Sequence, residues 1–189
     1  MRGNPPMNEK SIGLIELSSV AAGFLVADTM LKSGNVTLHL SRSICSGKYM
    51  VLVAGTTSAV ESAVAGGVAA ANGCLIDSFV IPQVHEDVLQ ALGRSNVTPP
   101  DGALGVLESF NVATLLRAAD VVAKAANVQL LEIRLAMALG GKAFFTLTGD
   151  VASVQAAVAA GRAVIGESGM LVNAVVLPRP HPDVYREIV

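Results

Sequence analysis

Hydrophobic and polar positions alternate along the chain in short runs, and the order of those runs predicts a fold. Residues 12–17 form an apolar run of strand length. A helical stretch follows, with Ser18 or Ser19 available as its cap, Lys32 in its last turn and Asn35 at its close. Residues 36–43 alternate, with Val36, Leu38 and Leu40 against Thr37, His39 and Ser41, as a half-buried strand does. Residues 49–54 predict the second strand of a hairpin turned at Ser46-Gly47. Ser58 predicts the cap of an Ala-rich helix that runs to about Ala71, residues 75–81 a fourth strand, and residues 85–92 a short terminal helix. The order β-α-β-β-α-β is that of the ferredoxin-like unit, an α+β fold.

The unit occurs twice. SIGLIE from Ser11 returns as ALGVLE from Ala103, 92 positions on. Ala27-Asp28, Lys32, Asn35-Val36 and Arg42 return at that same offset as Ala119-Asp120, Lys124, Asn127-Val128 and Arg134. Gly47-Lys48 and Gly55 return 94 positions on, and Pro82, His85, Asp87 and Val88 return 96 positions on. Two short insertions in the second copy account for the steps. The chain thus reads as a tail over 1–10, one domain over 11–92, a Pro- and Gly-rich linker over 93–102 and a second domain over 103–189, with its second helix over 153–165.

Composition narrows the function. Hydrophobic residues make up 52% of the 189 and charged residues 15%, so most elements bury more than one face. Net charge is −2 and no basic run exceeds two residues, which argues against a nucleic-acid surface. No apolar stretch approaches the ~18 residues of a membrane span. The segment MRGNPPMNEK lacks the apolar region of a secretory signal, and Met7 is an alternative start. A cytosolic, reducing setting follows, in which Cys45 and Cys74 are thiols or ligands rather than a disulfide.

Candidate chemistry is sparse. Glu16 and Glu108 repeat at equivalent strand ends, which favours a structural role over a catalytic one. His85 and His181 repeat at helix starts and read as packing and capping residues; His39 falls on the polar phase of a strand and reads as exposed. No histidine pair has helical metal spacing, and Gly66-Gly67 falls inside a helix pattern rather than a phosphate loop. Without a nucleophile–base constellation, the chain does not read as an enzyme. Cys74 reads as a small buried hydrophobe. Cys45 stands out, because the turn ICSGKY needs no thiol; it is either incidental or there for its sulfur.

The repeated residues resemble the bacterial microcompartment (BMC) shell domain. The marks are GLIE at 13–16, Ala27-Asp28 with Lys32, Asn35-Val36, Ser46-Gly47-Lys48, and Pro82 with His85 and Asp87-Val88. ADVVAKAANV at 119–128 and LPRPHPDV at 177–184 repeat them, so the resemblance covers the chain from Ser11 on. It implies an unpermuted tandem shell protein: a homotrimer that mimics a hexagon, and tiles with other BMC shell proteins into a sheet around enzymes, redox enzymes among them. In this family the turn between the second and third strands lines a central pore. That carries over to Ile44, Cys45, Ser46, Gly47 and Lys48 in the first copy, and to Met137, Ala138, Leu139, Gly140 and Gly141 in the second. Sheet-edge contacts carry over to Lys32, Asn35, Lys124, Asn127 and Arg179, with Gln83 standing where the first copy lacks the arginine.

Within the family, Ile44-Cys45-Ser46-Gly47-Lys48 is similar to the I-C-x-G-K turn of the propanediol-utilisation type, which implies one [4Fe–4S] cluster per trimer on the threefold axis. Such a cluster takes cysteine thiolates, usually four, and three copies of Cys45 would serve three irons. Lys48 and the turn's N–H groups are expected to offset the anionic charge, and the apolar turn of the second copy to shield the site. The roles implied are electron transfer or redox sensing across the shell. The alternatives are a passive shell subunit whose pore conducts metabolites, with Cys45 unmetallated, and a soluble small-molecule-binding regulator that forms no sheets.

Overall fold

The structure, a computed structural model, describes residues 10–93, 102–136 and 139–186. The expected tail up to residue 9, most of the expected linker, and Met137 and Ala138 lie outside the described residues. The chain divides between Val84 and His85 into two compact units.

The first unit runs β1 (Ser11–Leu17), α1 (Val20–Ser33), β2 (Thr37–Ile44), β3 (Lys48–Gly55), α2 (Thr57–Ala70) and β4 (Leu75–Ile81). The second begins with α3 (Glu86–Leu92) and continues β5 (Ala103–Ser109), α4 (Val112–Ala125), β6 (Gln129–Leu135), β7 (Ala143–Gly149), α5 (Val151–Glu167), β8 (Leu171–Leu177) and α6 (Pro182–Arg186). Each unit holds one antiparallel sheet, ordered β2-β3-β1-β4 and β6-β7-β5-β8, the ferredoxin-like order. Hence α3, which closes the first repeat in sequence, packs against β6 and α4 of the second unit.

Every residue of β1 is buried, because the strand is paired on both edges and covered by helices. Ile15, Leu17, Val51 and Val53 meet Val26, Met30, Val60 and Val64 in the core of the first unit. Gly67 makes that packing close, since a Cβ there would run into Ile15 and Met30; Gly161 does the same against Leu107 and Val122. The two insertions fall in the β6–β7 turn and in α5, which has 17 residues against 14 in α2. No described helix is long and apolar enough to cross a membrane.

Three local expectations change. Thr56, not Ser58, caps α2: its hydroxyl accepts the Ala59 N–H, while Ser58 lies inside the first turn. Likewise α5 begins at Val151 rather than residue 153, because Asp150 accepts both the N–H and the hydroxyl of Ser153. His39 is half-buried rather than exposed, since a bulge between Leu38 and Leu40 breaks the alternation of β2.

Candidate functional site: two hairpin turns

The β2–β3 hairpin turns over Cys45–Gly47 in a single 3-10 turn. Ile44 is buried beneath it, Cys45 is half-buried, and Ser46 and Gly47 are exposed. Ser46 and Gly47 both take left-handed backbone, with φ of 66° and 71°. Glycine adopts that conformation at no steric cost, whereas serine there is uncommon. A Cβ on Gly47 would meet nothing within 4 Å, so the turn is open to space at that residue.

The base of the turn is pinned. Lys48 Nζ lies 2.9 Å from Glu16 Oε1, and the Glu16 carboxylate is buried on the central strand. Glu16 Oε2 is also buried and has no hydrogen-bond partner among the described residues. The Lys48 ammonium, expected to offset charge at Cys45, is thus ion-paired with a carboxylate inside the unit. Cys74, the other thiol, packs on the core of the first unit, and its carbonyl accepts the Ser18 N–H.

The second unit repeats the anchor and alters the tip. Lys142 Nζ lies 2.7 Å from Glu108 Oε1, though both side chains are about a third exposed. The turn is two residues longer and carries no cysteine. Leu139 is half-buried, Gly140 exposed and Gly141 buried, with φ of 61° and 90° at the two glycines. The glutamates are thus ion-paired to lysines at equivalent places in both repeats. The pairs themselves were missed, although a glutamate and a lysine repeating together in both copies was the available signal.

The remaining residues singled out in the sequence lie elsewhere. Lys32 is ion-paired with Asp28, and Lys124 with Asp120 at 2.6 Å. Asn35, Asn127, Gln83 and Arg179 are exposed, and Gln83 has a left-handed φ of 49°. His85 and His181 cap α3 and α6, each Nδ1 accepting the N–H two residues on.

Whether the turn suits an iron–sulfur group depends on copy number. Among the described residues no three His, Cys, Asp or Glu side chains of one chain gather as a metal site. One chain offers one thiol at an open tip. The donor type fits, and the donor number fits only if several chains bring their turns together.

Comparison with known proteins agrees with this architecture. The BMC domain model matches residues 11–84 and again 103–180. The chain is 40% identical over 180 residues to the bacterial microcompartment shell protein PduT of Citrobacter freundii, covering 95% of this chain and 98% of that one. It is 40% identical over 81 residues to the shell protein EutM of Salmonella typhimurium, which spans 43% of this chain. A crystal structure of a microcompartment protein from Desulfitobacterium hafniense superposes with a TM-score of 0.87 at 46% identity, over 93% of this chain and 98% of that one. The chain belongs to the BMC-domain family, as a tandem-domain shell protein of bacterial microcompartments.

Proposed function

We propose that this shell subunit closes into a homotrimer in which three Cys45 turns meet on the threefold axis and hold one [4Fe–4S] cluster. The observation that carries the reading is a half-buried thiol in a turn that is open at Gly47, present in one repeat and absent from the other. Three of six equivalent turns then supply ligands, which suits threefold symmetry. When bound, the cluster would supply one-electron chemistry, for transfer across the shell or for sensing redox state.

The chain's own residues would do the rest. Cys45 donates a thiolate, Ser46 and Gly47 turn the backbone sharply enough to present it, and the Glu16–Lys48 pair fixes the base of the hairpin. Exposed Lys32, Asn35, Lys124, Asn127 and Arg179 would meet neighbouring shell proteins, with Gln83 making the first copy's edge differ from the second's. The subunit would sit in the cytoplasm as part of a compartment wall, with encapsulated redox enzymes as electron partners. A passive pore is the second reading, favoured by the open space around Gly47 and Gly140.

Anaerobic purification with iron and acid-labile sulfide assays, run beside Cys45→Ala, separates the two. The expected result is about four irons per three chains, lost in the variant. An iron-free protein after anaerobic reconstitution would leave a pore lined by an unused thiol.

A further inference from the structure

The turn that joins α2 to β4 holds a reactive pair of residues that the second unit lacks. Among the asparagines of the chain, Asn72 alone precedes a glycine, whereas Asn35, Asn96, Asn111 and Asn127 precede valine. The branched Cβ of valine crowds the amide nitrogen beside it, and glycine leaves that nitrogen open.

The turn is held at both ends and free in the middle. The Cys74 N–H donates to the Ala71 carbonyl at 2.9 Å, and the Cys74 carbonyl accepts the Ser18 N–H at 2.8 Å. Between those anchors Asn72 and Gly73 take positive φ, 45° and 81°, the pattern of a type I′ turn. Both residues are exposed, so water reaches them. A Cβ on Gly73 would meet nothing within 4 Å, which leaves room for a ring to form there. The Gly73 N–H makes no hydrogen bond among the described residues.

The second unit closes the same place differently. Ser168 and Gly169 stand 96 positions beyond Asn72 and Gly73. Ser168 has an ordinary φ of −85°, and its hydroxyl donates to the Ile165 carbonyl at 2.8 Å. The Gly169 N–H is engaged by the Gly166 carbonyl at 2.9 Å. No side-chain amide stands there to be attacked, and the backbone nitrogen is occupied.

We propose that Asn72 is a site of deamidation in the folded protein, with water as the co-reactant. The Gly73 nitrogen attacks Asn72 Cγ and gives up its proton. The bond from Cγ to Nδ2 breaks, ammonia leaves, and a succinimide ring remains. Water then opens the ring at one carbonyl or the other, leaving aspartate or isoaspartate. Either product adds one negative charge to a chain of net charge −2. The new carboxylate lies just past the C-terminus of α2, where the helix dipole opposes an anion. Isoaspartate also lengthens the backbone between Ala71 and Cys74 and loosens the hydrogen bond that closes the turn. The first unit thereby carries a covalent record of the subunit's age, and the second does not.

Incubation of the full-length folded chain in heavy-oxygen water at mildly alkaline pH, followed by peptide mapping, tests it, with Asn72→Ser as the variant. The expected result is heavy oxygen at residue 72, as aspartate and isoaspartate, entering at least about tenfold faster than at Asn35 or Asn127. An acidic species should grow on ion exchange at the same rate and be absent from Asn72→Ser. A smaller ratio between the asparagines overturns the proposal. So does label that enters Asn72 only after the chain is unfolded in urea.

Discussion

In the first repeat Gly23 packs against the ring of Tyr49, and a Cβ there would collide with it. In the second, Leu115 stands at the place of Gly23 and Ala143 at the place of Tyr49, both fully buried. Volume lost on the helix is returned on the strand. Other differences are not matched by a second exchange of this kind: the cysteine in one turn, the exposed apolar side chains Val20, Phe24 and Leu31 of α1, and the Arg42 Nε that is buried without a hydrogen-bond partner among the described residues. The comparison separates two kinds of divergence. Compensated pairs preserve packing, whereas the uncompensated ones lie at a turn, on an exposed helix face and on the edge strand β2.

The ion pairs under the turns give the largest test of this contrast. Lys48→Ala would strand the buried Glu16 carboxylate, with an expected loss of about 3–5 kcal/mol. Lys142→Ala should cost about 1 kcal/mol, because the partly exposed Glu108 keeps its water. Urea titrations of the two variants decide it, and equal losses would break the contrast. Next in size is the core exchange. Gly23→Leu alone should cost about 3 kcal/mol through overpacking. Adding Tyr49→Ala should restore part of that loss, giving a favourable coupling of at least about 1 kcal/mol in a double-mutant cycle. Additive effects would mean that the two sites do not share one volume.

The smallest effect separates the helix caps. Hydrogen bonds from the Ser153 hydroxyl and then its N–H hold the Asp150 carboxyl below its ordinary 3.8. A lowered folded pKa contributes stability that is full above the unfolded pKa and is lost as pH falls through the folded one. The stability difference between wild type and Asp150→Ala should therefore shrink as pH falls below 3.8. Thr56 does not titrate, so Thr56→Ala should cost about 1 kcal/mol at every pH. Denaturant midpoints across that range measure both.

Much of the fold is legible in the residues themselves. The run at the start of each repeat and the matched motifs carry strand order, domain number and the position of the turn. His85 and His181 are legible as caps because they precede acidic helix starts. Other features depend on competition that spacing does not resolve. Thr56 and Ser58 are both good caps, and only backbone geometry chooses between them. Lys48 sits beside the cysteine in sequence, but its long side chain reaches across to Glu16. Nothing in the first repeat taken alone indicates that α3 packs against the strand and helix of the second.

The clearance around Gly47 has an evolutionary consequence. A turn whose glycine faces open space can change that residue without disturbing the core. The anchoring pair stays constant beneath it, as it does in both repeats. One ancestral hairpin could then acquire a thiol in one copy and an apolar tip in the other, so that duplication supplied chemical diversity while selection for folding stayed largely indifferent.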